Sequence, residues 1–399
     1  MTTPQAPTRH AEVAGAGFAG LTVATALAQR GWFVRLHEQN DTVRDFGAGI
    51  VMWRNAMLAL EVIGVADSVR EHGVRPDYYE TFLNGTSVSL EVPGYPYWAI
   101  TRPKLHALLA DAARAAGVEI VTSSRAVGAD PAGALLMADG SRLEADLAIG
   151  TDGAGSAVRN SLGDLAQERK KYSDGVCRVL IPRPEEFKGE RWNRVLDWWT
   201  LEPDAMRVLY HPMSPDMLYI AFMAETRNER ASAIPVDVEV WSKRFPHLIP
   251  IIELAGKAEG GRHDNYQTNR VTPWSTGRAV LVGDAAHAMC PALGQGAGVG
   301  MVNAVDLAHA LDQYDTVAEA LAAWEARERQ MTDDVQARSA YMAETRTMAK
   351  GNNWTPRLLE TANFVSAAVP PGVTDRYPVP EANRSTSGRP ACRRRTWTS

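Results

Sequence analysis

Three glycine-rich segments hold the residues whose types and spacing suit a phosphorylated cofactor. The first is Gly15-Ala16-Gly17-Phe18-Ala19-Gly20. Its first glycine permits a tight turn, its second lets backbone approach a pyrophosphate, and its third lets a helix pack closely on a strand. Phe18 and Ala19 lie between them at the start of the helix, whose free N–H groups and positive end face the phosphates. About twenty residues on, Glu38 and then Gln39 stand where an acid accepts hydrogen bonds from a ribose diol and repels a 2′-phosphate. The second segment runs from Gly150 to Arg159 and contains Asp152-Gly153; the third is Gly283-Asp284-Ala285-Ala286-His287, continuing to Pro291 and Gly294-Gln295-Gly296-Ala297-Gly298. Asp284, at a strand's carboxyl end, suits the hydroxyls of a ribityl chain. The glycine-rich helix start after it aims its positive end at a ring that becomes negative on reduction. NAD and FAD share the first fingerprint. The other two segments select FAD.

These segments need a strand–helix–strand frame. Residues 11–14 read as a strand, and Leu21, Ala24, Leu27 and Ala28 give the following helix an apolar face closed by Gly31. Residues 33–37 form the next strand. Glu12 is out of place in a covered strand: either the strand is shorter, or Glu12 has a polar partner. A helix starts near Pro103 with Thr101 as its cap, Leu105, Leu108, Leu109, Ala112 and Ala113 as its face, and Gly117 as its stop. A strand at 118–122, a hairpin at 134–145 turning at Asp139-Gly140, and a buried strand at 146–150 follow. From 172 to 264 the chain is aromatic and alternates, as in 206–210 and 217–223, which predicts a large sheet with one covered face. A strand at 278–283, a helix from about 294 and helices over 318–348 complete the pattern.

The fold class is α/β: a Rossmann-like FAD-binding domain with a parallel sheet, interrupted by a mostly antiparallel substrate sheet and followed by C-terminal helices. The expected division is 1–77, 99–171 and 265–340 for the cofactor, 78–98 and 172–264 for the substrate, a helical segment at 341–369 and a disordered tail at 370–399.

The 399 residues carry a net charge of −5, which offers no basic footprint for nucleic acid. Cys177, Cys290 and Cys392 lie far apart and the histidines show no HExxH pattern, so neither a disulfide framework nor a metal site is expected. The uncharged run Val13–Ala28 is too short to span a bilayer, and its three glycines and adjoining Glu12 oppose a secretory core. A cytoplasmic location is expected.

The three motifs, in this order and at these separations, resemble the single-component flavin-dependent aromatic hydroxylases, the p-hydroxybenzoate hydroxylase-like family. Segments 11–20, 46–53, 79–81 and 280–293 are most similar to members that act on hydroxylated pyridine carboxylates, and the likeness covers roughly 10 to 365. It implies tightly bound FAD, NADH (or NADPH) as a visiting electron donor without its own domain, and O2 as co-substrate. The reduced flavin would form a C4a-hydroperoxide that hydroxylates the ring, in some members with ring opening. It also implies that Gly15, Gly17, Gly20, Glu38, Arg44, Arg102, Asp152 and Asp284 contact FAD and that Pro291 and the 294–298 turn border its ring. Arg207, Tyr219, Tyr79 and Tyr266 would surround the substrate. Pro291, Arg207 and Tyr219 are the expected catalytic group. The expected partners are a small aromatic acid and a second copy of the chain as a homodimer, with no nucleic acid and no membrane.

Read without the resemblance, Arg207 is an ordinary exposed strand arginine, and His287 caps or packs in its turn. Val51 stands where the pyridine-acting members place a tyrosine, which enlarges the substrate pocket. Gly298 and Asn303 stand where the wider family favours asparagine and aspartate. A hydroxylase of another phenolic or natural-product aromatic remains open, as does a non-catalytic binding protein of the same fold. A nicotinamide-dependent dehydrogenase explains neither later motif.

Overall fold

The computed structural model describes residues 9–43, 48–91, 97–163 and 165–348. Its nucleotide-type layer is a six-stranded sheet in the order Ser275–Thr276, Ala279–Leu281, Leu147–Gly150, His10–Ala14, Phe33–His37 and Glu119–Val121, parallel except for the first pair. All three glycine motifs leave the carboxyl ends of its central strands. The helix Phe18–Ala28 is buried over nearly its whole length rather than along one stripe, because Arg102–Ala115 and Gly296–Gln313 flank it. Thr101 occupies the cap position of Arg102–Ala115, but its side chain makes no capping bond.

Glu12 has its polar partners. Its carboxylate, fully buried, accepts from Arg35 Nε at 3.0 Å and lies 2.7 Å from His37 Nε2 on the neighbouring strand. Burial alone would raise this carboxyl; the hydrogen bonds from His37 and Arg35 outweigh it and hold it below the ordinary range. Removing the acid leaves the Arg35 guanidinium and the His37 ring nitrogen without their shared acceptor, so Glu12→Ala is expected to cost about 3 kcal/mol in urea unfolding. Because the folded carboxyl ionises below its unfolded value, this stability is present above the ordinary carboxylate range. It is lost as pH falls through the folded value.

The second sheet has seven strands, in the order Arg262–Thr272, Ala166–Pro182, Met217–Glu225, Met206–Pro212, Val195–Thr200, Tyr79–Leu83 and Thr86–Glu91. Neighbours are antiparallel except Val195–Thr200 with Tyr79–Leu83. The expectation of one covered face is corrected here: Met206–Pro212 is buried at all but one position. Trp241, Phe245 and Ile252, from two short helices, cover one face through Phe222 and Tyr210. Leu293, Val335 and Met342 reach the other, where Val176, Ala221 and Tyr266 lie. This sheet also runs through Thr272, past the expected boundary at 264, because Arg262–Thr272 pairs along Ala166–Pro182. Val317–Met348 is one helix crossing the expected break at 341; residues 349–399, including the expected tail, lie outside the described residues.

Candidate active site

A cleft of about 540 Å³ separates the carboxyl edge of the parallel sheet from the second sheet. Gly17, Phe18, Ala19, Arg102, Gly153, Gly283, Asp284, Pro291, Gly294, Gly296 and Ala297 line one side. Val51, Tyr79, Arg207, Tyr219 and Tyr266 line the other. The residues expected to surround a substrate therefore meet in one cleft with the turn that leads into the helix Gly296–Gln313.

The glycines divide by role. A side chain at Gly20 would put its Cβ 2.0 Å from the Gly15 carbonyl oxygen, so this glycine serves helix–strand packing. Gly15 has φ +101°, and a Cβ there would lie 2.7 Å from the Thr151 oxygen. At Gly17 a Cβ would meet no atom within 4 Å: the space is open where a pyrophosphate must approach. Gly298 does not line the cleft. It permits close packing on Ala56, whose Cβ would lie 3.2 Å away.

Asp284 faces the cleft. It is exposed to that space, yet the surrounding protein desolvates its carboxyl and raises it above the ordinary range while Arg102 opposes the shift. Arg102 itself stacks over Phe18 at 4.7 Å. Glu38 accepts from the Ala16 N–H at 3.2 Å and the Asn40 N–H at 2.9 Å, tying the first glycine turn to the second strand, and Gln39 is exposed beside it. Arg44 lies outside the described residues.

Asp152 is placed differently from the expectation. Its carboxylate accepts from Ser156 Oγ at 2.5 Å and from the N–H groups of Ala157 and Val158 at 2.7 and 3.1 Å. It thus holds the start of the helix Ala157–Ser161, whose cap is Ser156, while Thr151, Gly153 and Ala154 line the cleft. The sequence also gave no role to Arg159. Fully buried, it donates to the Ala285 and Ala154 carbonyls at 2.9 Å each, stitching the second motif to the third.

Arg207 is neither an exposed arginine nor a free cation awaiting a carboxylate. It is buried, with Nε 2.5 Å and Nη2 3.0 Å from the two oxygens of Asp197. Tyr79 donates its hydroxyl to Asp197 at 2.8 Å and accepts from Arg207 at 3.0 Å. Desolvation alone would lower the guanidinium's pKa; Asp197 more than reverses that. Arg178, missed in the sequence, lines the cleft with its charge held by Tyr219 and Asp264 despite burial that opposes it. Arg262 also reaches Asp264, at 2.6 Å. Two guanidiniums on one carboxylate leave this corner net positive. Only the period-two placement of Arg178 on Ala166–Pro182 signalled it. Tyr266 donates its hydroxyl to the Met223 sulfur at 2.9 Å, a weak acceptor. His287 is buried, pushed by burial to about 4, and does not line the cleft, in keeping with a packing role.

The chemistry of the site fits FAD: an open glycine approach at Gly17, an inward carboxyl at Asp284 and a helix N-terminus at Gly296 follow in order along one cleft. Among the described residues no cluster could hold a metal ion, and no helix is long and apolar enough to cross a membrane.

The family model described as FAD binding domain matches residues 9–339. A 2-heptyl-3-hydroxy-4(1H)-quinolone synthase of Mycobacteroides abscessus is 35% identical over 84% of this chain and 89% of its own length. A 6-hydroxynicotinate 3-monooxygenase of Pseudomonas fluorescens is 30% identical over 75% and 82%. The solved structure of 2-methyl-3-hydroxypyridine-5-carboxylic acid oxygenase, in tetrameric form, is 46% identical, covers 89% of this chain and 96% of its own, and superposes with a TM-score of 0.83. The chain belongs to the FAD binding domain family and is one of its flavin-dependent aromatic monooxygenases.

Proposed function

We propose that this enzyme uses NADH and O2 to hydroxylate a small hydroxylated pyridine carboxylate or a similar N-heteroaromatic ring. The observation that carries the reading is the convergence of Tyr79, Arg207, Tyr219 and Tyr266 in one cleft with Pro291, Gly294, Gly296 and Ala297. FAD held there accepts electrons from the nicotinamide and activates O2. The chain's own residues bind, orient and enclose. Gly17 and the helix Phe18–Ala28 receive the pyrophosphate, and Asp284 with Arg102 holds the ribityl chain. The N-terminus of Gly296–Gln313 stabilises charge on the reduced ring. Tyr266 can exchange its weak bond to Met223 for a better acceptor on the guest, while Trp53, Tyr97 and Leu209 wall the cleft against water.

A substrate acid is best received at Arg178 and Arg262, where cationic charge exceeds the single carboxylate. A hydrogen bond to a charged group contributes about 1.5–3 kcal/mol. Arg178→Met is therefore expected to weaken a ring carboxylate roughly ten- to a hundred-fold and to leave the matching ring without the acid almost unaffected. Titrations followed by flavin absorbance check this.

Val51 supports a second reading, in which a larger aromatic with an apolar substituent occupies the space that a tyrosine would fill. Ring-stimulated NADH oxidation separates the two. A panel containing 2-methyl-3-hydroxypyridine-5-carboxylate, 6-hydroxynicotinate, a 4(1H)-quinolone and simple phenols should respond at an N-heteroaromatic member. Response to phenols alone would contradict the N-heteroaromatic reading. The same assay with NADPH tests the donor, and light scattering tests the homodimer against the tetramer described for the pyridine oxygenase.

A further inference from the structure

His211 lines the cleft from the strand Met206–Pro212, in register with Tyr219 on the adjacent strand. It is 4% exposed, and Tyr97 presents its ring edge-on at 6.2 Å. Its Nδ1 lies 2.9 Å from the carbonyl oxygen of Pro212. A carbonyl only accepts, so Nδ1 carries the hydrogen and Nε2 of the neutral ring is left with a lone pair. Among the described residues, Nε2 has no hydrogen-bond partner. Burial pushes this imidazole down to about 4, so near neutral pH it remains an acceptor. Of the other polar groups that line the cleft, Arg178, Arg207, Arg262 and the Tyr266 hydroxyl can donate, and Asp264 and Asp284 accept. Trp53 Nε1 is another donor, buried without a partner.

We infer that His211 Nε2 accepts a hydrogen bond from a ring N–H or O–H of the substrate, and so selects heteroaromatic rings that present a donor at that edge. The inference rests on the proposed function and narrows its substrate class. The tautomer is fixed by a backbone carbonyl, so the ring cannot turn this edge into a donor without losing that bond. A guest with a methyl group in place of the hydrogen leaves a buried acceptor unpaired and adds volume beside it.

The test uses FAD-loaded enzyme and two matched pairs of probes: 4(1H)-quinolone with 1-methyl-4-quinolone, and 3-hydroxypyridine with 3-methoxypyridine. Binding is read from the flavin absorbance. In the native enzyme the donor-bearing member of at least one pair is expected to bind roughly tenfold or more tightly than its methylated partner. His211→Leu should reduce that ratio to about threefold or less, mainly by weakening the donor-bearing ring. His211→Gln, which keeps an acceptor oxygen, should retain part of it; flavin content reports whether each variant folds. Equal binding within both pairs in the native enzyme would overturn the assignment, and so would an undiminished ratio in a flavin-loaded His211→Leu. If none of the four rings perturbs the flavin, the proposed function falls, and this assignment with it.

Discussion

Gly20→Ala is expected to purify colourless, with its affinity for FAD reduced at least roughly a hundred-fold. The added methyl would lie 2.0 Å from the Gly15 oxygen and 2.6 Å from Thr151 Oγ1, and the nearer atom is backbone that cannot swing aside. The helix Phe18–Ala28 must therefore withdraw from the sheet, displacing the N–H groups meant for the pyrophosphate. Overpacking of this kind also costs about 1–3 kcal/mol of stability. Gly17→Ala separates the two effects. Its methyl meets nothing within 4 Å, so the apoprotein should unfold at the native urea concentration while FAD binding still weakens. Apoprotein titration with FAD, followed by tryptophan fluorescence, measures both variants.

Asp197→Ala should be the most damaging single change on the substrate side, at about 3–5 kcal/mol of stability. Among the described residues it leaves the buried Arg207 guanidinium with the Tyr79 hydroxyl, the Met223 sulfur at 3.2 Å and the face of Trp199 at 5.0 Å. Asp197→Asn, which keeps the shape and removes the charge, should lose less and should free Arg207 to attract anions. Ring carboxylates ought then to bind more tightly relative to neutral rings than they do to the native enzyme. Urea unfolding and ring titration give the two numbers, and unchanged stability in Asp197→Ala would show that the pair does not hold Arg207 in place.

The cofactor half of this molecule was legible because its constraints are local. Gly15, Gly17 and Gly20 must be glycine for reasons of backbone reach, and the strands beside them are short apolar runs. Tyr79, Arg207, Tyr219 and Tyr266 were expected around a substrate from a resemblance alone, and all four line the cleft. Their partners were not legible. Asp197 lies in Val195–Thr200 and meets Arg207 across a strand pair whose register no motif announces. Asp264 reaches Arg178 over a still longer stretch of chain. Asp152, expected at the cofactor, also takes hydrogen bonds from Ser156 and from the first N–H groups of the helix after it, a local role that the motif did not announce. The two-sided burial of Met206–Pro212 was hidden because the covering residues, Val335 and Met342 among them, come from a distant helix.

The proposed hydroxylation places one oxygen atom of O2 on an N-heteroaromatic ring bound in this cleft. Mass spectrometry of the organic product made from NADH and 2-methyl-3-hydroxypyridine-5-carboxylate, 6-hydroxynicotinate or a 4(1H)-quinolone under 18O2 tests it most directly. At least one of these rings should yield a product carrying one labelled oxygen atom. NADH consumption that ends in hydrogen peroxide with every ring recovered unlabelled would contradict it.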